Sequence, residues 1–179
     1  AKTTKTIRNL TGGFCLRSGA VLGRADDKAD AYKFGKDGIE AAKNKKWDKA
    51  IDFFNKAVQA QPKEANNHIN LGLAYKGDGK MNDALKAFSS AIEVEPGNDA
   101  VYLNRGIVYI SVQKYPEAIQ DLTRASRLKE SVNAHRFRAL AYLGGKDYAK
   151  AVEDYNVVLK EKENDVAILD RRAFALWNL

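Results

Sequence analysis

One pattern of residues recurs every 33 or 34 positions through most of the chain. Four segments align on it, residues 31–64, 65–98, 99–131 and 132–165, and residues 166–179 begin a fifth. Each of the four has a small residue, an alanine twelve positions later and a large side chain four positions after that. In chain order these triplets are Gly38, Ala50 and Phe54; Gly72, Ala84 and Phe88; Gly106, Ala118 and Leu122; and Ala139, Ala151 and Tyr155. A period of this length predicts stacked supersecondary units that bury their apolar faces against each other.

Few prolines and abundant Ala, Lys and Leu favour helix over strand, and we expect each unit to contain two helices. The predicted helices are 27–44, 47–61, 65–78, 81–94, 99–112, 115–128, 132–145, 148–161 and 166–178. We expect the small residue of the first helix to face the alanine of the second, which would let antiparallel helices approach to about 8–10 Å. Large residues should anchor the start of each second helix: Trp47, Met81, Tyr115 and Tyr148.

The segment Asn67–Pro96 fits the pattern of the tetratricopeptide repeat (TPR) family nearly residue for residue, and residues 31–179 resemble that family throughout. The resemblance implies an all-α fold, a right-handed α-solenoid of helix-turn-helix repeats, within a domain of residues 26–179. It also implies a concave groove, lined by the first helices, that holds proteins or peptides. Since fold alone does not name a ligand, we expect a non-catalytic protein–protein interaction scaffold or assembly factor, or a subunit of a larger complex. Its ligand would be an apolar or amphipathic segment.

The groove geometry of that family, transferred to this sequence, places eight large aliphatic side chains and three polar ones on the concave face. They are Ile39, Ile69, Asn70, Leu73, Leu103, Asn104, Ile107, Ile110, Arg136, Leu140 and Leu143. An exposed apolar surface of this size commonly marks a binding site. Packing against neighbouring helices would explain the same aliphatic residues equally well.

One subclass of the family is disfavoured by the residues at its ligand-binding positions. Its members hold the acidic C-termini of cytosolic heat-shock chaperones with a clamp of Lys, Asn, Asn, Lys and Arg. The corresponding residues here are Gly35, Ile39, Asn70, Ala100 and Asn104, of which Asn70 alone matches. We therefore expect no carboxylate capture of that kind.

The sequence contains no recognisable catalytic, metal-binding or cofactor-binding motif, and we expect no enzyme activity, metal or cofactor. His68 and His135 share a repeat position with Phe34, Tyr102 and Leu169, so we interpret both as packing residues, with a whole repeat between them. Cys15 has no histidine nearby to support a nucleophilic role.

The net charge of +7 is concentrated at the N-terminus. Residues 1–24 hold five basic residues and no acidic one, leaving +2 for residues 25–179; the basic residues are Lys2, Lys5, Arg8, Arg17 and Arg24. We interpret residues 1–25 as a basic, Gly-containing tail that contacts an acidic surface. RNA binding through this tail is the alternative function. A basic tail of this kind, in a sequence that starts with Ala1 and not with methionine, favours an organelle or the periplasm over the cytoplasm.

The last predicted helix carries more apolar residues than one face can bury: Phe174, Leu176, Trp177 and Leu179. Ala173 is expected to pack against the fourth repeat. We predict an apolar edge that a partner, missing residues or a second copy of the chain covers, which would be self-association through the C-terminal helix. The alternative is that Trp177 and Leu179 fold back onto the fourth repeat.

Overall fold

The computed structural model describes residues 25–161 and 163–179, and within them the chain is entirely helical apart from turns. The helices are α1 (Ala25–Lys43), α2 (Trp47–Ala60), α3 (Ala65–Gly77), α4 (Met81–Val94), α5 (Asp99–Ser111), α6 (Tyr115–Leu128), α7 (Val132–Gly144), α8 (Tyr148–Glu161) and α9 (Val166–Trp177). Every boundary lies within two residues of the predicted one. The predicted basic tail, apart from Ala25, lies outside the described residues.

The helices form a continuous stack of pairs. The two helices of each pair are joined by three residues, which places them antiparallel in an αα-hairpin. Each second helix packs against the first helix of its own repeat and against the first helix of the next. The result is an all-α solenoid with α9 as the unpaired last element of the described stack.

The turn inside each repeat has the same backbone geometry. At its second residue φ is positive, with values of 55° at Lys45, 78° at Gly79, 60° at Gln113 and 65° at Lys146. The next residue donates its N–H to a carbonyl five residues earlier at 2.9 Å, for example from Lys114 to Tyr109. This left-handed turn caps the first helix and fixes the direction of the second. Glycine occupies the position in one repeat only, although the conformation favours it in all four.

In the first three repeats the small residue of the first helix makes room for the large side chain of the second. The predicted contact between that small residue and the alanine of the second helix stays a prediction. A Cβ built on Gly38 would lie 2.6 Å from the ring of Phe54, and one on Gly72 would lie 2.7 Å from Phe88. The small residue therefore faces the ring. Because the ring occupies the space of the missing side chain, the packing of the first two repeats favours glycine here, while Ala139 takes the same position beside Tyr155 in the fourth repeat.

Anchoring residues at the start of the second helices connect successive repeats. The indole of Trp47 lies against Gly77 at the end of α3, and the ring of Tyr115 lies against Gly144 at the end of α7. These contacts keep the ends of α3 and α7 close to the preceding second helices, α2 and α6.

Candidate functional site

The first helices of successive repeats lie closer to one another than the second helices do. α1 contacts α3, α3 contacts α5, and α5 contacts α7, while no comparable contact joins successive second helices in the part of the chain that is described. The stack curves toward the side on which successive helices lie closer together, so that side is concave. α1, α3, α5 and α7 therefore line the inner surface, which we call the groove.

The eight aliphatic residues predicted for the groove all retain exposed surface. Ile39 is 43% exposed, and the remaining seven are half-buried. Several also contribute to packing: Ile69 and Leu73 lie against the buried cluster around Phe88, and Leu103 and Ile110 lie against the cluster around Leu122. These side chains thus have one edge in the core and one edge open. Their role in ligand binding remains a prediction.

A cleft of about 270 Å³ opens between α1, α2 and α3. Its walls include Ile39, Asn70 and Leu73, which the sequence predicted for the groove. The remaining lining residues are Ala42, Lys43, Trp47, Phe54 and Ala74. Apolar side chains form most of this wall, with one ammonium and one amide at its edge, so the cleft could hold an apolar side chain whose neighbour carries an acid.

Lys76 is a polar groove residue that the sequence analysis missed. Its ammonium donates to Asn104 Oδ1 at 3.3 Å, and Asn104 Nδ2 donates in turn to the carbonyl of Ala100 at 2.9 Å. Burial lowers the pKa of Lys76 below its ordinary value. Alignment of the repeats would have placed Lys76 in the groove, because it occupies the same repeat position as Ile110 and Leu143. Among the described residues no carboxylate pairs with this ammonium.

Arg136 extends the cationic character of the groove toward α7. Its guanidinium lies 5.7 Å from the centre of the Phe137 ring, a cation–π geometry. Phe137 also packs against the Leu122 cluster. Phe137 shares a repeat position with Asn70 and Asn104 but was missed, because the groove candidates included no aromatic residue.

The opposite side of the first helices carries a second set of polar contacts. Arg105 donates to both carboxylate oxygens of Asp121, at 2.7 and 2.8 Å, and Arg138 does the same to Asp154, at 2.7 Å for each bond. These hydrogen bonds raise the pKa of Arg105 and Arg138, so both guanidinium groups stay charged. Both aspartates are buried, and the pairs hold the two helices of repeats three and four together.

The two histidines have polar partners as well as packing contacts. His135 Nδ1 lies 2.8 Å from Asp154 Oδ1, inside the Arg138 pair, and His68 Nε2 lies 2.7 Å from the carbonyl oxygen of Pro62. Our interpretation as packing residues alone was therefore incomplete. Hydrophobic periodicity does not reveal such contacts.

The last helix exposes the apolar edge that its sequence predicted. Trp177 is 86% exposed and Leu179 is 72% exposed, so the alternative in which both fold back onto the fourth repeat is wrong. The expectation for Ala173 is also wrong, since this residue is exposed while Ile168 and Ala175 are buried against the fourth repeat. Ala173 holds the repeat position of Gly106 and Ala139, which face the second helix of their own repeat. It therefore lies on a different face of α9 from the one that packs against the fourth repeat.

Within residues 25–161 and 163–179, no helix combines the length and the apolar character needed to cross a membrane. No group of three or more His, Cys, Asp or Glu side chains is arranged there to hold a metal ion.

Comparison with known proteins identifies the family. The tetratricopeptide repeat profile matches residues 69–127 and again residues 103–166, which together span more than half of the 179 residues. The chain belongs to the tetratricopeptide repeat family. TPR proteins are generally non-catalytic and bind peptides or proteins in their groove, and the architecture of this chain suggests a scaffold for protein–protein interaction. No curated protein gives a significant match to the sequence.

Solved structures show the same fold at low sequence identity. The MamA protein superimposes with a TM-score of 0.79 at 20% identity, over 84% of this chain and 83% of MamA. A thermophilic TPR protein from Thermus thermophilus gives a TM-score of 0.67 at 21% identity, over 85% of this chain and 84% of that chain. The first TPR domain of Spaghetti (RPAP3), bound to an HSP90 peptide, gives 0.61 at 22% identity, over 63% of this chain and 90% of that chain.

Proposed function

We propose that this TPR protein is a non-catalytic scaffold or assembly factor that binds an amphipathic segment of another protein in its groove. The observation that carries the proposal is the row of half-open aliphatic side chains along α1, α3, α5 and α7, next to the cleft of about 270 Å³. A partner that covers these side chains would stabilise the complex by roughly 25 cal/mol for each Å² of apolar surface removed from water.

The cations of the groove favour acidic residues in the bound segment. Lys76 is half-buried with an amide oxygen as its hydrogen-bond partner, and Lys43 and Arg136 lie at other points along the same surface. Partial burial of an ammonium without a counter-ion has a cost in free energy, and a carboxylate from the partner would reduce it. We therefore propose a ligand with apolar side chains for the aliphatic row and at least one acid near Lys76.

The ligand of the Spaghetti domain is not a guide to the ligand of this chain. That domain was solved with an HSP90 peptide. The clamp positions of the chaperone-binding subclass are occupied here by Gly35, Ile39 and Ala100 as well as two asparagines. Ile39 instead lines the cleft, so this part of the groove favours an apolar side chain over a terminal carboxylate.

Position-specific photo-crosslinking tests the proposal. A photoreactive amino acid at Ile107 in the groove should capture a partner protein, and peptide mapping should place the crosslink in an amphipathic segment. A matched control carries the same amino acid at Lys86, which is exposed on the second helix α4. Equal capture of the same protein at both positions, or capture at Lys86 alone, would contradict groove binding. A crosslink to RNA from the same amino acid placed in residues 1–24, with no protein captured at Ile107, would favour the alternative function.

A further inference from the structure

A polar cavity of about 470 Å³ lies between the two helices of the third repeat, on the side of α5 that faces away from the groove. Tyr102 and Arg105 of α5 contribute to its lining, together with Gln120, Asp121, Arg124 and Arg127 of α6. Its volume falls within the range of about 300–1,000 Å³ that is usual for ligand pockets. The cleft between α1, α2 and α3 is mostly apolar, whereas every side chain named here carries a polar or charged group. The cavity therefore suits a charged ligand.

The lining of this cavity is positively charged. It holds three guanidinium groups and one carboxylate, a net charge of +2. The carboxylate belongs to Asp121, which is buried, and its two oxygens accept hydrogen bonds from Arg105 at 2.7 and 2.8 Å. Since Arg105 and Asp121 neutralise each other, the net charge of the cavity resides on Arg124 and Arg127.

Arg124 and Arg127 have no counter-ion within the described part of the chain. Both are exposed, and no carboxylate lies within ion-pair distance of either one. They are three residues apart on α6, so their Cβ atoms are neighbours on one helix face, about 5–6 Å apart. The equivalent pairs in the other three complete repeats are Lys56 and Gln59, Ser90 and Glu93, and Val157 and Lys160. Two cations at these positions thus occur in the third repeat alone.

We propose that this cavity binds a phosphate monoester, with Arg124 and Arg127 as the residues that hold the phosphate. A phosphate monoester carries a charge of about −1.5 to −2 near pH 7 on three terminal oxygens, so it matches the net charge of the cavity. Guanidinium groups donate paired hydrogen bonds to phosphate, and two of them on one helix face reach the same group. Gln120, one helical turn before Arg124, adds a neutral N–H donor. The ring of Tyr102 offers a surface for the organic part of the ester.

Other anions fit the cavity less well. A single carboxylate or a phosphodiester carries one negative charge, which would leave one of the two arginines without a counter-ion. A pair of carboxylates supplies two charges but divides them between two centres, whereas a phosphate monoester places both on one group. The charge and the spacing of the two arginines therefore favour the monoester.

Calorimetric titration of the full chain with phenyl phosphate tests the proposal at about pH 8, where this probe is a dianion. We expect saturable binding with a Kd below about 1 mM at low ionic strength. Two matched probes keep the ring and change the anion: methyl phenyl phosphate is a diester with one charge, and phthalate carries two carboxylates. Each should bind at least about tenfold more weakly than phenyl phosphate.

Substitutions on α6 test whether the probe occupies this cavity. Arg124→Gln and Arg127→Gln should each raise the Kd for phenyl phosphate about tenfold, since a hydrogen bond between charged groups contributes about that much. The matched control is Lys56→Gln, which removes the same charge at the equivalent position of α2 and should leave the Kd unchanged. All three positions are exposed, so the circular dichroism spectrum should stay that of wild type. Leu73→Asp in the groove should also leave the Kd unchanged, which separates this site from groove binding.

A further probe distinguishes two sources of the ester. Tighter binding of acetyl-phosphothreonine-amide than of phenyl phosphate would assign the cavity to phosphorylated side chains of proteins, and the reverse order would assign it to small-molecule esters; either order supports the proposal. Absence of saturable binding of both esters, or equal weakening by Lys56→Gln and Arg124→Gln, would overturn it. Inorganic phosphate that binds as tightly as the esters would show a site for a simple ion only, and a diester that binds as tightly would indicate a nucleic-acid backbone; both results would also overturn the proposal.

Discussion

Replacement of Tyr155 by phenylalanine should stabilise the protein. The side chain of Tyr155 is fully buried, and its Oη is the one buried side-chain polar atom in the described structure without a hydrogen-bond partner. A hydroxyl buried in this way costs about 1–3 kcal/mol. Phe54 and Phe88 occupy the same repeat position, so this position accepts a ring without a hydroxyl. We expect the free energy of unfolding to rise by about 1–2 kcal/mol in Tyr155→Phe, which corresponds to roughly 2–8 °C in Tm.

Thermal unfolding by circular dichroism, together with urea denaturation, measures this change. The matched control is Phe88→Tyr, which adds a hydroxyl at the equivalent buried position and should lower the free energy of unfolding by a similar amount. A Tyr155→Phe protein that is less stable than the wild type by about 1 kcal/mol would show that the hydroxyl has a favourable partner, and the reasoning would fail.

The same residue should make stability sensitive to alkaline pH. Burial raises the pKa of Tyr155 above its ordinary value of about 10. The folded protein therefore keeps this proton at pH values where the unfolded chain releases it, and stability falls as pH rises above about 10. Wild type should lose more stability than Tyr155→Phe between pH 8 and pH 10.5 in urea denaturation; parallel losses in the two proteins would contradict this assignment.

The remaining predictions concern the turns, the packing of glycines and the tail. Gln113→Gly should raise the free energy of unfolding by about 1 kcal/mol because φ is 60° at this residue, and Gly79→Ala should lower it, as measured by thermal unfolding. Gly106→Ala should cost about 1–3 kcal/mol, since the new Cβ would lie 2.7 Å from Leu122 Cγ. Gly35→Ala, with no neighbour within 4 Å, should instead stabilise α1 by about 0.5–1 kcal/mol; equal effects of the two changes in urea denaturation would contradict the packing account. Deletion of residues 1–25 should leave the circular dichroism spectrum unchanged and reduce the salt dependence of partner binding; an unfolded deletion variant would make the tail part of the core.

The positions of the helices could be predicted because the same constraint recurs in every repeat. A small residue, an alanine and a large residue at fixed spacing leave little freedom in helix length, and each boundary was predicted within two residues. The partner of each small residue could not be obtained in the same way. Spacing shows that Gly72, Ala84 and Phe88 lie near one another, but not that the ring of Phe88 fills the space over Gly72.

Polar contacts between helices were the least predictable part of the structure. The Arg138–Asp154 pair joins residues sixteen positions apart, and neither residue disturbs the hydrophobic period. Ala173 shows a related difficulty, because the position was recognised but assigned to the wrong neighbouring helix. The groove candidates left out Lys76, which only the structure brings next to Asn104.

The affinity of a double variant in the groove tests most directly whether the groove binds the partner. Leu73 and Ile107 are half-buried residues of α3 and α5 on the inner surface. Leu73→Asp combined with Ile107→Asp places two charges where apolar contact with the partner is expected. Neither substitution replaces a fully buried core residue. Calorimetric titration with the segment recovered by crosslinking should show a Kd at least about tenfold higher than for wild type, with unchanged helicity by circular dichroism. The control Gln59→Asp, at an exposed position of α2, should bind like wild type. An unchanged Kd for the folded double variant would contradict the account.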